Sequence, residues 1–300
     1  MTGTQTVATQ TVPAEVGAPV IELGLPVVGG SHHRSSAGTA GLETSDAERS
    51  EKFAQMRAGE LGSLHSWELV TAVDGPGTRL TTFLSGCPLR CLYCHNPDTM
   101  EMRRGEPVLA EELLKRVARY RGVFGVTGGG LTISGGEPLM QPAFVARILR
   151  GAKELGVHTA IDTSGYLGAH CTDEMLADID LVLLDVKSGI PETYKRATGR
   201  ELQPTLDFGR RAAASGTEIW VRFVLVPGLT DAPENVDAVA DYVATLGTVS
   251  RVEVLPFHQM GRDKWASLGM TYELEDTQPP SPELVARVRQ QFRDRGLTVF

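Results

Sequence analysis

Residues 85–99 read Ser85-Gly86-Cys87-Pro88-Leu89-Arg90-Cys91-Leu92-Tyr93-Cys94-His95-Asn96-Pro97-Asp98-Thr99. Three of the chain's four cysteines fall within eight residues, in the spacing CxxxCxxC. Three thiolates do not close a four-ligand metal site. A structural zinc takes four Cys or His ligands, and a four-iron, four-sulfur cluster also takes four. A cluster held by Cys87, Cys91 and Cys94 alone therefore keeps one iron open, and an open iron is a place for a substrate to bind. On the residues alone, the alternatives are a zinc knuckle that recruits His95 and a redox dithiol.

Just upstream, Leu80 to Leu84 is rich in apolar and β-branched residues and reads as a strand that ends at the cysteine loop. Before it, Leu64 to Val73 reads as another strand, leading into the turn Asp74-Gly75-Pro76-Gly77. Downstream, Leu109, Leu113, Leu114 and Val117 recur at helical spacing, after which strand and helix patterns alternate. The apolar strands are Leu131 to Ser134, His158 to Asp162, Leu181 to Val186, Ile219 to Val226 and Val252 to Pro256, six in all with Leu80 to Leu84. Helices are expected over Gln141 to Leu155, Asp173 to Ala177, Thr205 to Ala214 and Pro233 to Leu246. A last helix has Ser281 as N-cap, Pro282 at its first position and Gly296 beyond its end. Alternating units with short connections imply an α/β fold with a parallel sheet. An open, partial barrel and a doubly wound sheet share this linear pattern, and in both the ligand meets the carboxyl ends of the strands.

That rule sorts the remaining motifs. Gly128 to Pro138, GGGLTISGGEP, spans the second strand and its exit, without the Gly-Lys-Ser/Thr ending of a phosphate loop or the GxGxxG of a dinucleotide fold. Glycines at a strand end let a ligand come close to the backbone. The third strand ends in Asp162-Thr163-Ser164-Gly165 and the fourth in Asp185-Val186-Lys187, where either aspartate could equally cap a helix or shape a turn. Arg222 inside the fifth strand needs a partner, because unpaired buried charge is costly. A bound carboxylate or a structural Asp or Glu would serve. The sixth strand closes with Leu255-Pro256-Phe257-His258, and Cys171, outside any spacing, reads as a buried, idle thiol.

CxxxCxxC with His95 and Asn96 behind it, followed by Gly135-Gly136-Glu137-Pro138, resembles the radical S-adenosylmethionine (SAM) superfamily and its branch that activates glycyl radical enzymes. The resemblance runs from about Leu64 to Phe300 and includes Gly261 to Trp265 and Tyr272 to Pro280, whose residues it leaves without a role. It implies a partial (β/α)6 barrel. It also implies one 4Fe-4S cluster on Cys87, Cys91 and Cys94, whose open iron is chelated by the amino and carboxylate groups of SAM. One electron from the cluster then splits the sulfonium into methionine and a deoxyadenosyl radical. In the pyruvate formate-lyase activating members, the positions of Gly135, Gly136 and Glu137 meet the SAM amino group. Those of Tyr93, Cys94, His95, Val186, Lys187, Ser188, Arg222 and His258 are further SAM-side positions. Asp162 and Asp185, with backbone oxygens of Thr163 and Leu183, match a monovalent cation site for K+ or Na+. A hard cation prefers oxygen ligands and bridges carboxylates that would otherwise repel. Asp74, His95 and Lys187 match positions near the bound glycyl peptide, and no residue serves as acid or base. His258 could equally be a satisfied core-edge histidine, and Asp74 a plain turn former.

The implied reaction removes a hydrogen from a backbone glycine of a partner enzyme and leaves a glycyl radical there. Pyruvate formate-lyase, an enzyme of anaerobic glucose metabolism, is the implied partner, and a flavodoxin or ferredoxin the implied electron donor. Activases of related dehydratases and decarboxylases usually carry an inserted ferredoxin-like region with many more cysteines, whereas this chain has one to spare. Another glycyl radical enzyme, or a small molecule, is the alternative substrate.

Three hundred residues at 41% hydrophobic content suffice for one large domain. A net charge of -8 argues against a nucleic-acid surface, whose footprint is basic. Clustered thiols require a reducing compartment, so a cytoplasmic location is expected. No apolar run approaches the ~18 residues of a membrane span, and no basic leader opens the chain, whose first Lys or Arg is Arg34. Residues 1–62 are dominated by Thr, Ala, Gly, Ser and Val, with no aromatic before Phe53, and are expected to form a disordered extension with a short helix over Ser45 to Gly59. His32 and His33 within it read as solvated side chains. Residues 63–300 are then the catalytic domain, expected to act as a monomer.

Overall fold

A computed structural model describes residues 48–300, beginning with helix α1 over residues 48–57. His32, His33 and most of the expected extension lie outside the described residues. The helix over residues 48–57 lies within the short helix expected over Ser45 to Gly59. Glu51, Lys52, Ala54, Gln55, Met56 and Arg57 are strong helix formers, so this exposed helix draws on propensity more than on burial.

The strands follow as β1 (Leu61–Thr71), β2 (Thr78–Leu84), β3 (Glu106–Leu109), β4 (Gly130–Gly135), β5 (His158–Thr163), β6 (Leu181–Asp185), β7 (Glu218–Leu225) and β8 (Val249–Pro256). They form one sheet in the order β3-β1-β2-β4-β5-β6-β7-β8. From β2 to β8 every pairing is parallel, which yields the six expected parallel strands. β1 and β3 add antiparallel at the β2 edge. β1 begins three residues before the expected Leu64, and β3 was hidden because four mostly exposed residues with Pro107 among them carry no strand pattern. At the opposite edge, Thr298, Val299 and Phe300 return alongside β8, with Val252 N–H donating to the Thr298 oxygen at 2.8 Å.

Helices α2 (Ala110–Thr127), α3 (Pro142–Glu154), α4 (Asp173–Ala177), α5 (Pro191–Thr198), α6 (Gln203–Ala214), α7 (Pro233–Ala244), α8 (Arg262–Ser267) and α9 (Pro282–Arg293) connect or follow the strands. Ser281 caps α9 as expected, its side chain accepting from Leu284 N–H. α5 and α8 escaped the reading because they are short and largely polar.

Period-two alternation assigns the two faces of the sheet. On one face Leu80, Leu84, Leu131, Ile133, Ile161, Val182, Leu184, Val221, Phe223 and Val254 are buried in a continuous core with apolar residues of α2, α3, α6, α7 and α9. The other face carries Phe83, Ser134, Asp162, Asp185, Arg222, Val224 and Leu255, contributed by six different strands, and all of them line one cavity of about 480 Å³. A flat sheet could not bring β2 and β8 to the same cavity. The sheet curls into an open, partial barrel whose carboxyl ends surround this space.

Candidate active site

The loop from Ser85 to Met100 is folded back on itself and pinned to its neighbours. Gly86 N–H donates to the Thr99 oxygen at 2.7 Å and Cys87 N–H to the Met100 oxygen at 3.1 Å. Arg90 and Leu92 N–H donate to Thr198 and Ala197 at the end of α5, at 2.8 and 2.9 Å. These ties place Cys87, Cys91 and Cys94 together on the cavity wall as free thiols. Burial raises all three thiols, Cys91 to about 12, so a metal arriving there must displace their protons. Among the described residues no three His, Cys, Asp or Glu converge on a single metal-ion position. Each thiolate of a four-iron cluster takes a different iron, so thiols spread along one wall fit that group. Cys171 stands apart, buried in the core at the start of α4.

The glycines of the next motif are needed for a reason other than the expected one. A Cβ on Gly135, whose φ is +117°, would fall 2.2 Å from Leu84 N, and one on Gly136 would fall 2.4 Å from the Gly86 oxygen. The backbone that comes close is that of β2 and the cysteine loop, although Gly135 and Gly136 also border the cavity. Glu137 does not reach the cavity. It is buried and accepts from Thr163 Oγ1 at 2.6 Å, from Ser164 N–H at 3.0 Å and from Leu139 N–H at 3.2 Å, with Ser164 Oγ as a fourth donor. Burial raises its carboxyl above the usual range even so. Its side chain ties the exit of β4 to that of β5.

Asp74, Tyr93, His95, Asp162, Thr163, Asp185, Lys187, Arg222 and His258 all line the cavity. Val186, Ser188 and Leu183 do not. Val186 is packed into the outer core, Ser188 donates to Asn235 Oδ1 at 2.6 Å, and Leu183 belongs to the small inner cluster with Ala160 and Leu181. In an alternating strand only every second side chain can face one cavity, which is why runs such as Asp185-Val186-Lys187 cannot point inward throughout.

Arg222 finds structural partners. Its guanidinium donates to Asp162 Oδ2 at 3.2 Å, Glu253 Oε2 at 3.2 Å, Asp74 Oδ1 at 3.1 Å and the Val73 oxygen at 2.8 Å. Burial would lower its pKa, but Asp162, Asp185, Asp74 and Glu253 hold it well above the ordinary value. Burial, with Asp185 and Asp74 nearby, pushes the Asp162 carboxyl up to about 6 against the pull of Arg222 and Ser134. Lys187 Nζ lies 3.0 Å from Asp185 Oδ2 and 5.7 Å from the centre of the Tyr93 ring. His95 and His258 stack with ring centres 4.1 Å apart, and burial together with His258 lowers the His95 pKa.

Among the described residues, Asp162 Oδ1, Tyr93 OH and His258 Nδ1 are buried polar atoms without a partner. All three residues border the cavity, which has the size of a small-molecule site. Sequence reasoning did not find Glu253, Ser134 as the donor to Asp162 at 2.7 Å, or His65, and it singled out the segment holding Lys264 and Trp265 without giving either a role around the cysteine loop. Only Arg222, a charge in the middle of an otherwise apolar run, signalled that such a partner had to exist.

Comparison with known proteins bears on the same region. A sequence profile described as the Radical SAM superfamily matches residues 81–240. The pyruvate formate-lyase 1-activating enzyme of Escherichia coli (strain K12) is 38% identical over 242 residues, 80% of this chain and 98% of that protein. The pyruvate formate-lyase-activating enzyme of Clostridium pasteurianum is 42% identical over 234 residues, 78% of this chain and 98% of that protein. The crystal structure of Streptococcus suis SuiB bound to S-adenosylmethionine superposes with a TM-score of 0.57 at 13% identity, covering 89% of this chain and 56% of that one, a likeness of fold alone. Among the described residues no helix is long and apolar enough to cross a membrane. The chain belongs to the radical SAM superfamily and, within it, to the family of pyruvate formate-lyase-activating enzymes.

Proposed function

We propose that this chain is the activase of a pyruvate formate-lyase, generating a radical on a backbone glycine of that protein under anaerobic conditions. The observation that carries the reading is the meeting of three free thiols and the strand-end carboxylates Asp162 and Asp185 in one cavity, in a chain that spans nearly the whole length of relatives bearing that name. Cys87, Cys91 and Cys94 would hold three irons of a 4Fe-4S cluster. When bound, the cluster and SAM together supply one-electron cleavage chemistry.

The remaining residues orient and shield. Gly135 and Gly136 border the cavity that the three thiols line, and Lys187, with ammonium protons left beyond its bond to Asp185, can meet the SAM carboxylate. His95 and His258 form an aromatic wall for the adenosyl group, which the unpartnered Tyr93 OH and His258 Nδ1 can bond. Arg222 commits four of its five N–H donors to Asp74, Asp162, Glu253 and Val73, so its main part is to hold Asp74 and Asp162 on the cavity wall. Glu137 keeps two strand ends in register. Asp162 and Asp185, with oxygens of Thr163 and Leu183, form a seat for K+ or Na+. Asp74, Asp162 and Asp185 outnumber the two cavity cations Lys187 and Arg222, and the free Asp162 Oδ1 offers the cation a ligand. Asp74, His95 and Lys187 would border the incoming glycyl peptide. A one-electron carrier of the flavodoxin or ferredoxin class supplies the electron, in the reducing cytoplasm that free thiols demand.

The test is electron paramagnetic resonance on anaerobically reconstituted, reduced protein mixed with SAM and purified pyruvate formate-lyase. A glycine-centred doublet on the partner is the expected result. A cluster signal that responds to SAM with no glycyl radical would reject this partner.

A further inference from the structure

The segment that follows β8 grips the cysteine loop through contacts the reading above leaves without a role. Lys264 Nζ donates to Asn96 Oδ1 at 2.8 Å and lies 3.2 Å from Asp98 Oδ2. Trp265 Nε1–H donates to the Cys94 carbonyl oxygen at 2.9 Å, and its buried ring packs on Tyr272 with centres 5.6 Å apart. Just before α8, a Cβ on Gly261 would fall 2.8 Å from His95 Cα and 3.0 Å from the Cys94 oxygen, so only glycine permits this approach. From the other side, His65 Nε2 on β1 lies 3.0 Å from Asp98 Oδ2. The stretch carrying Cys94, the last cysteine of the motif, is thus held between the first strand and a helix more than 160 residues further on.

We propose that Lys264 and Trp265 are positioning residues for the cluster. Trp265 fixes the backbone of Cys94 and with it the direction of the thiol toward the cavity. Lys264 sets a positive charge beside the loop and favours the reduced cluster, while Asp98 opposes it. Cluster potentials respond to nearby charge, hydrogen bonding and solvent exposure. Adding an electron makes the cluster more negative, so a neighbouring cation stabilises that state and a carboxylate destabilises it. Lys264 and Asp98 are 41% and 27% exposed, so solvent screens part of the effect. The inference rests on the assignment of the cluster to Cys87, Cys91 and Cys94.

The experiment is a redox titration of the reconstituted full chain, followed by the resonance of the reduced cluster. Lys264→Met is expected to move the midpoint to a more negative value by a threefold to tenfold change in the reduction equilibrium, about 30–60 mV at ~59 mV per tenfold for one electron. Lys264→Arg should keep the midpoint within about twofold of the parent, and Asp98→Asn should move it the opposite way from Lys264→Met. Trp265→Phe keeps an aromatic ring beside Tyr272 but loses the N–H, and should speed iron loss to a chelator several-fold while the far-ultraviolet circular dichroism stays unchanged. Midpoints that do not move, or that move in the same direction for Lys264→Met and Asp98→Asn, would overturn the role of Lys264. Unchanged iron retention in Trp265→Phe would overturn that of Trp265. The partner reading fails separately, by the absence of a glycyl radical in a parent chain whose cluster titrates normally.

Discussion

Arg222 Nη1 on β7 stands 3.2 Å from Asp162 Oδ2 on β5, although β6 lies between their strands. Strands two places apart are roughly 9–10 Å apart at the backbone, so the contact needs both the long arginine arm and the inward curl of the sheet. It joins the middle of the fifth parallel strand to the end of the third, and through Asp74 it reaches the turn after β1.

Removing that arginine leaves three carboxylates facing one another with no common counter-charge. The four side chains are 11–14% exposed, so water relieves little of the repulsion. Arg222→Met is expected to lower stability by about 3–5 kcal/mol, as loss of one partner of a buried pair does. Arg222→Lys should recover only part of it, because an ammonium cannot reproduce the fork. Denaturant unfolding at neutral pH measures both, and a loss below about 1 kcal/mol in the methionine variant would contradict the clamp.

Each of Cys87→Ala, Cys91→Ala and Cys94→Ala should abolish cluster assembly and SAM cleavage. Cys171→Ala, far from the cavity in the core, should leave both intact. Anaerobic iron, sulfide and zinc analysis decides between the metals: about four irons with matching sulfide in the parent is the cluster outcome, and one zinc per chain would reinstate the zinc knuckle.

Asp162→Asn and Asp185→Asn should weaken SAM binding by about tenfold or more while iron content is retained, since each removes a charged oxygen from the proposed cation seat. Replacing K+ and Na+ by a bulky organic cation should weaken binding to the parent in the same way. Equilibrium dialysis with labelled SAM gives the answer, and normal binding by both variants would mean that the cation lies elsewhere or is not used.

Acid should weaken the sheet through Asp180. Burial would raise this carboxyl, but Lys153 Nζ at 2.6 Å and Thr159 N–H at 2.9 Å hold it below its usual value. Its stabilisation is complete above the unfolded carboxyl pKa of about 3.9 and disappears as the pH falls through the lower folded value. Asp180→Asn is expected to cost about 1 kcal/mol at pH 7, because the pair is partly exposed. The difference from the parent should close as the pH falls below the unfolded value and through the lower folded one, and a gap that stays constant with pH would exclude this linkage.

The cysteine loop was legible because its information is local. Three thiols in eight residues, at the end of a β-branched strand, need no tertiary contact to be read as a metal site with a place left over. The six parallel strands were legible too, because apolar runs separated by helical spacing leave few arrangements. Glu137 was misplaced for a definite reason: a motif names the residues near a ligand, whereas alternation along the chain decides which of them face it. Glu137 faces Thr163 and Ser164 instead.

The sequence by itself determined the cysteine spacing, the count of parallel strands, the strand ends that carry Asp162, Asp185 and His258, and the strand that carries Arg222. Each of these is written in consecutive residues and their periodicity. The choice between a doubly wound sheet and a curled one, the closing of six strands on one cavity, and the grip of Lys264 and Trp265 on the cysteine loop were decided only in the tertiary structure. They depend on strand curvature and on contacts between residues more than a hundred positions apart, which no local pattern records.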